Sequence, residues 1–454
     1  MRRPSPRLVA PLAAALLLVL AVGPARATEV QRVVSDSGIV AWLVEDHSNP
    51  VISLSFAFRG GAARDPEGKA GLANLATGLL DEGAGDLDSQ AFQEALARDA
   101  IKLSFDAARD NIYGNLQTLT GNRQRAGDLL AKALTAPRFD PAPVARVRSQ
   151  VLAGIRAEST KPQARASKAL ARVLFPDHPY GRPVAGTAES VQAIERADLT
   201  HFAKTRLVRD RLIVGVAGDI TPGQLKALLD RAFAALPKSA ADLPELSEAE
   251  IAGAGEVVVL DQDIPQSWAV FGHAGIARDD PDYYAASLIN YILGGGAFAS
   301  RLYEEVREKR GLAYSVYTYL DPRAHGSVLA GGLGAANARV AEALDIVREQ
   351  WRRLAEDGPT KVELEDAKSH QIGSFALRLS STKGIARILV AIQRESLGRD
   401  YIDRRKALIE AVTLDEARRV AARLLAPEDL NVAVVGQPEG VTATRPPPAA
   451  APGG

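Results

Sequence analysis

Two stretches of this chain end alike, 218 positions apart. Arg211-Leu-Ile-Val-Gly-Val-Ala-Gly218-Asp219 is an apolar strand that stops at a glycine turn, and Asp429-Leu-Asn-Val-Ala-Val-Val-Gly436-Gln437 is another. Each follows an amphipathic stretch with helical spacing, at 197–203 in one case and 414–420 in the other. Repetition at this distance implies a duplicated unit of about 200 residues. A chain of 454 residues is also too long for one compact core.

The units read as residues 28–238 and 256–437, joined by a linker at 239–255 and followed by a tail at 438–454. In the first unit, 39–44 and 51–58 read as strands split by the turn Ser48-Asn49-Pro50. Residues 112–119 read as a further strand, and 123–134 and 144–158 carry helical periodicity. In the second unit, 256–260 and 268–273 read as strands, and 282–293, 338–355 and 361–379 as helices. Strands and helices mixed along each unit predict an α+β fold, not a doubly wound one. The linker is polar, with acidic residues at 243–250 and no strong period, which predicts a spacer. The Pro- and Ala-rich tail is too poor in apolar residues to order itself and is expected to be disordered.

Composition narrows the function. Lys plus Arg and Asp plus Glu both total 55, so the formal charge is zero, and no basic block stands out. Nothing here favours nucleic acid or an anionic membrane as partner. The absence of cysteine removes disulfides, a lipidated Cys and thiol catalysis. The start, Met1-Arg2-Arg3 with basic residues to Arg7, an apolar run at 8–22 and Ala25-Arg26-Ala27, has the form of a secretory signal peptide over residues 1–27. A mature protein outside the cytoplasm is the expectation, without stable membrane insertion.

Residues 71–84 read GLANLATGLLDEGA. Leu72, Leu75, Ala76, Leu79 and Leu80 recur at helical spacing, and Asn74, Thr77 and Gly78 share a face at i, i+3 and i+4. The stretch resembles the zinc helix of the M16 (pitrilysin/insulinase) peptidases, G-x-x-H-x-x-E-H, with Asn74, Thr77 and Gly78 where the motif has His, Glu and His. Two imidazoles at that spacing bind one zinc while the Glu activates its water. Thr and Gly offer no such ligand and an Asn amide is a poor one. The family's third ligand, a Glu on a later helix, falls in a region that here reads Arg148-Ser149-Gln150-Val151-Leu152-Ala153-Gly154-Ile155, without a carboxylate. Glu158 comes one turn too late. None of His47, His178, His201, His273, His325 and His370 sits in an HxxEH pattern. No metal and no cofactor are expected in this chain.

The second unit carries Gly294-Gly-Gly-Ala-Phe-Ala-Ser300-Arg-Leu-Tyr-Glu-Glu-Val-Arg307-Glu-Lys-Arg-Gly311-Leu-Ala-Tyr314. Ser300 suits a helix N-cap, Leu302 and Val306 an inward face, and Gly311 the C′ position, with a strand over 312–319. Arg307 then lies in the last helical turns and Tyr314 on the next strand, close enough to meet. This resembles the glycine-rich loop and the Arg/Tyr pair of M16 second halves. The resemblance implies two homologous halves, each a mainly antiparallel sheet covered by helices, that make half of a clamshell chamber. It implies that Gly294, Gly295 and Gly296 contact peptide, and that Arg307 and Tyr314 steady the substrate and its oxyanion in trans. Zinc would be borne by an HxxEH-containing partner chain, in a periplasmic heterodimer that hydrolyses peptides. The alternative is an inert M16-like peptide-binding or scaffold protein, and a weaker one an unaided hydrolase with an unfamiliar site. Phe175-Pro-Asp-His178-Pro-Tyr-Gly181 resembles another family segment, in which His178 is expected to fix local structure.

Overall fold

The computed structural model describes residues 29–240, 243 and 245–448. The expected signal segment and the end of the tail lie outside the described residues. Among those described, the strands form two separate sheets. The first holds β1 (Gln31–Val34), β2 (Val40–Glu45), β3 (Val51–Arg59), β4 (Lys102–Ala107), β5 (Asn111–Leu119) and β6 (Leu212–Gly218), in the order β1-β2-β6-β3-β5-β4. The second holds β7 (Val257–Asp261), β8 (Gln266–Ala274), β9 (Ala313–Asp321), β10 (Val328–Ala336) and β11 (Asn431–Gly436), in the order β7-β11-β8-β10-β9. Without β1 the two orders match strand for strand. In each sheet the unit's last strand lies parallel to one early strand, with Val214 opposite Ala41 and Val432 opposite Val257, and all other pairs are antiparallel. The fold is α+β.

The repeated glycines have a physical cause. Gly218 and Gly436 end β6 and β11 with φ of 133° and 140°. A Cβ would lie 2.1 Å from the carbonyl oxygen of Val51 at the first and 2.4 Å from the Ser267 hydroxyl at the second. Only glycine fits either place.

The two units are interlocked through one helix each. On β3, Ile52, Leu54, Phe56 and Phe58 point into the first unit's core. Ser53, Ser55 and Ala57 lie on the opposite face and are also buried. Their cover is the helix Thr382–Arg394, which comes from the second unit of the sequence. Its Thr382 Oγ1 lies 2.9 Å from the Ser53 hydroxyl. Its Ile385, Ala386 and Leu389 cluster with Val44 and Ala217, and its Val390 with Ala57 and Ile213. The helix runs so close that a Cβ on Gly215 would meet the Ala386 carbonyl oxygen at 2.4 Å. Conversely, the helix Pro162–Leu174 of the first unit covers the second sheet, where Ala166, Leu170 and Val173 cluster with Val258, Val270, Ala433 and Val435. Sequence periodicity gives each unit its own cover, whereas in the structure the units exchange one helix.

Two segments are more ordered than their composition predicts. The linker is not a free spacer, because Leu246, Ala249 and Ile251 pack on the cluster beneath helix Pro162–Leu174. Its Ala249 and Ala252 N–H groups donate to the carbonyls of His325 and Leu174 at 2.6 and 2.9 Å. The described part of the tail is tied down as well. The Glu439 N–H donates to Asn337 O and the Thr444 N–H to Val257 O, both at 2.9 Å, and Arg445 pairs with Glu256 at 2.6 Å. Polar bonds and one apolar side chain, Val441 on the second unit's core, hold this segment, which its composition does not show. Among the described residues no helix is long and apolar enough to cross a membrane.

Candidate functional site

The helix expected around residue 74 forms at Leu72–Thr77. Gly71 precedes it with φ of 95°, and the buried Asp65 carboxylate accepts from the N–H groups of Gly71 (3.1 Å) and Ala73 (3.2 Å). Burial raises the Asp65 pKa to about 6, against the pull of the Arg206 charge and these backbone donors. Arg206, itself buried, donates to the carbonyls of Gly60 and Gly61 at 2.9 and 3.1 Å and so fixes the loop that leads to this helix.

Of the three residues at the expected metal positions, Asn74 is half-buried, Thr77 turns inward and Gly78 has no side chain. The Thr77 hydroxyl turns back on its own helix, 2.9 Å from the carbonyl of Ala73 and 3.1 Å from that of Asn74. Gly78 caps the helix, and a Cβ on it would lie 3.3 Å from Val147 Cγ1. The facing helix, Pro141–Ser159, brings Val147 and Ile155 into the core, with Val151 and Leu152 against it. Glu158, further along, is paired with Lys161 at 2.6 Å. Among the described residues no three His, Cys, Asp or Glu side chains converge as a metal would require. The donor set at this helix does not fit a zinc ion. His178 accepts the Tyr180 N–H at 3.2 Å through Nδ1, which leaves Nε2 to donate to Ser247 O at 3.2 Å.

The Arg/Tyr region departs from the expected geometry in detail. The stretch after Gly294 is not a loop. Residues 291–295 form one π-helical turn and Tyr303–Glu308 another. In the second, the Lys309 N–H reaches back five residues to Glu304 O at 2.9 Å. Such wide turns recur at functional sites. Ser300 has extended backbone, but its hydroxyl donates to Ala297 O at 2.7 Å and does not cap the helix. Leu302 and Val306 are fully buried, as their spacing predicts, and Gly311 has φ of 60°. Gly294 is buried, and a Cβ on it would lie 2.7 Å from Thr318 Oγ1 on β9. Its part is close packing of the turn on the sheet, whereas Gly295 is exposed. Arg301 anchors the second turn by two bonds to Glu363, at 2.6 and 2.9 Å. Burial would raise the Glu363 pKa, but hydrogen bonds from Arg301 and Thr360 outweigh it and hold it at about 2.

Arg307 and Tyr314 do come together. The Arg307 guanidinium carbon stands 5.0 Å from the Tyr314 ring centre and 4.9 Å from that of Tyr303. The neighbouring carboxylates are engaged elsewhere, Glu304 by Lys309 at 2.8 Å and Glu305 by Lys309 and Arg310. Among the described residues no carboxylate pairs with Arg307, so aromatic faces alone orient it. Tyr314 is 80% exposed. Its exposure has a backbone cause. Ser315 pairs with Gly334 and Ala313 with Ala335, so Tyr314 is the extra residue of a bulge on edge strand β9. Bulges of this kind re-aim a side chain. Phe298, 74% exposed, lies with its ring 4.8 Å from that of Tyr303. Sequence reasoning missed Tyr303 and Phe298. The signal for Tyr303 was its i, i+4 relation to Arg307.

With this geometry in hand, comparison with known proteins gives the class. Residues 40–188 match the family described as Insulinase (Peptidase family M16), and 193–370 match the Peptidase M16 inactive domain. The chain is 30% identical to the non-peptidase homolog YmxG of Helicobacter pylori over 336 residues, 74% of this chain and 77% of that one. It is 28% identical to an uncharacterized zinc protease of Mycobacterium leprae over 387 residues, 84% of this chain and 87% of that one. The crystal structure of a peptidase M16 inactive domain from Pseudomonas fluorescens superposes with a TM-score of 0.83 at 28% identity, covering 92% of this chain and all of that one. The chain belongs to the M16 family.

Proposed function

We propose that this chain is the non-catalytic subunit of a periplasmic M16 metallopeptidase. It pairs with an HxxEH-bearing chain, which holds the zinc and the general base, and it contributes a chamber wall with Arg307 and Tyr314. One contrast carries the reading. At the expected metal positions Thr77 bonds only its own helix and Gly78 has no side chain, while the half-buried Arg307 stands against two tyrosine rings with no carboxylate partner among the described residues. A pure scaffold has no use for an unneutralised guanidinium supported in this way. The name of the Helicobacter pylori relative, a non-peptidase homolog, supports the same view. The signal-like start of the sequence supports the periplasm.

In this reading Arg307 and the Tyr314 hydroxyl donate to the substrate backbone and to the oxygen on which charge develops in the transition state. The bulge at Tyr314 and the π-turn at Arg307 set the two donors, and the Tyr303 ring keeps the guanidinium from collapsing onto the surface. Gly295 lines the path of the peptide. The test is reconstitution. Purified chain, dialysed against dilute zinc, should hold no stoichiometric metal and hydrolyse no peptide. Mixed with its HxxEH partner it should raise peptide hydrolysis far above either chain alone. One tightly held zinc per chain, lost on substitution around residues 74–78, would contradict the reading.

A further inference from the structure

Two cavities run together between the units. One, of about 710 Å³, is walled by residues 59–64 and 108–113 of the first unit and by 277–279 and 321–325 of the second. The other, of about 510 Å³, is walled by residues 283–295 and by helices Lys361–Arg378 and Thr382–Arg394. Arg278, Pro322, Arg394 and Glu395 line both, so the two cavities adjoin and are treated together as one cleft. Its walls carry eight arginines, no lysine and four carboxylates. That is a local surplus of four positive charges in a chain whose charges balance.

Two of the four carboxylates, Asp321 and Glu395, pair with cleft arginines, and the other two have no arginine partner among the described residues. Asp110 is engaged by the Tyr180 hydroxyl at 2.6 Å and the Ala324 N–H at 3.3 Å. Asp321 is engaged by Arg323 and Glu395 by Arg394, each at 2.6 Å. Asp279 is exposed. Other arginines are held by neutral groups. Arg278 bonds the Tyr401 and Tyr284 hydroxyls at 3.0 and 3.4 Å, with its guanidinium carbon 4.1 Å from the Tyr283 ring centre. Arg405 donates to Gln371 O at 2.9 Å and stacks 4.4 Å from the centre of Phe375. Rings, hydroxyls and carbonyls orient a guanidinium without neutralising it. Two donors are left over. Arg64 Nη1 and Arg323 Nη1 are buried and have no acceptor among the described residues. Buried donors without acceptors are rare in native proteins, and both of these belong to arginines that line the same cleft.

We propose that this cleft binds an extended acidic peptide segment through its carboxylates. Planar guanidinium forks match carboxylates in a bidentate way that lysine cannot. Two adjoining cavities with arginines distributed over both suit an extended chain carrying several charges, not a single compact ion. The inference deepens the subunit reading by giving its peptide a chemistry, and it rests on that reading only for the peptide's fate. Binding itself needs no partner chain.

The test is fluorescence anisotropy on the full chain alone, with a labelled glutamate-rich decapeptide and its glutamine counterpart. The glutamate peptide should bind at least about tenfold more tightly than the glutamine peptide, with affinity falling as salt rises. Arg64→Gln and Arg323→Gln should each weaken it by about tenfold, and Arg98→Gln, outside the cleft, should leave it unchanged. Arg64 has no ion pair among the described residues, so its variant should keep the parent melting temperature and decides the matter if Arg323→Gln folds poorly. Equal affinity for the two peptides, or binding indifferent to Arg64→Gln, would overturn the proposal. So would tripolyphosphate binding with the same arginine dependence while the acidic peptide fails to bind. None of these outcomes depends on whether the chain activates an HxxEH partner.

Discussion

Exchange of one helix between the units should make them a single cooperative structure, and Leu389 tests this most sharply. It belongs by sequence to the second unit, yet it is fully buried against β6 of the first. Leu389→Ala removes about three carbons, worth roughly 0.8 kcal/mol each in transfer. The cavity left behind adds to this, because Gly215 offers no Cβ and the backbone of β6 cannot move in without breaking its ladder to β2 and β3. A loss of about 3 kcal/mol follows, within the range of roughly 2–5 kcal/mol seen for such truncations. Urea unfolding followed by circular dichroism and tryptophan fluorescence gives the value, and Trp42, packed on the same cluster, reports the first sheet. The midpoint should fall for both probes together. Leu170→Ala, on the helix exchanged the other way, should behave alike, and the double variant should be additive within about 0.5 kcal/mol. A loss below about 1 kcal/mol, or one that leaves the Trp42 signal unmoved, would refute the exchange.

Three further outcomes follow from particular contacts. Gly294→Ala would press a methyl group to within 2.7 Å of Thr318 and should cost about 1–3 kcal/mol by thermal melting. Removal of residues 438–454 frees the N–H of Val257, which donates to Thr444 Oγ1 at 2.9 Å, and should lower the melting temperature where a disordered tail would not. The third concerns pH. His273 is buried, which holds its imidazole below the ordinary 6.5, and Nε2 accepts from Trp351 Nε1 at 3.0 Å while Nδ1 donates to Ala274 O. A histidine with lowered folded pKa binds fewer protons than in the unfolded chain. Its contribution is complete above about 6.5 and is lost as pH falls below that value. Asp65 has the opposite sign, since its pKa is raised from 3.8 to about 6 and its share fades as pH rises through that range. Comparison of the parent with His273→Phe isolates the histidine. The stability gap between them should narrow from about pH 7 to about pH 5, and a constant gap would count against the assignment.

The sequence was most readable where one residue type answers one constraint. Gly218 and Gly436 showed the duplication because no other residue can end those strands. The spacing of Leu302 and Val306 gave the inward face even though the turn proved π-helical. Strand β10 was missed because it reads Val-Leu-Ala-Gly-Gly-Leu-Gly-Ala-Ala and shows no alternation of large and polar groups. Its glycines make room for neighbouring rings, with Phe271 2.4 Å from a Cβ placed on Gly331 and Trp268 2.7 Å from one on Gly334. Helix Pro162–Leu174 and helix Thr382–Arg394 were missed as covers because each serves the other unit's sheet. At the site, the spacing of Arg307 and Tyr314 gave their meeting. The bulge that exposes Tyr314 was not readable, since it depends on the register with β10.

The measurement that bears most directly on the central claim is steady-state peptide hydrolysis by the assembled heterodimer carrying Arg307→Ala or Tyr314→Phe in this chain. Loss of one donor aimed at transition-state charge typically lowers the rate by about 10²–10³. Both side chains are held at the surface by ring contacts and not by core packing, so size exclusion should show intact complexes with unchanged thermal stability. The account predicts a kcat that falls by that order in complexes that assemble normally. Full activity in well-assembled complexes would contradict it.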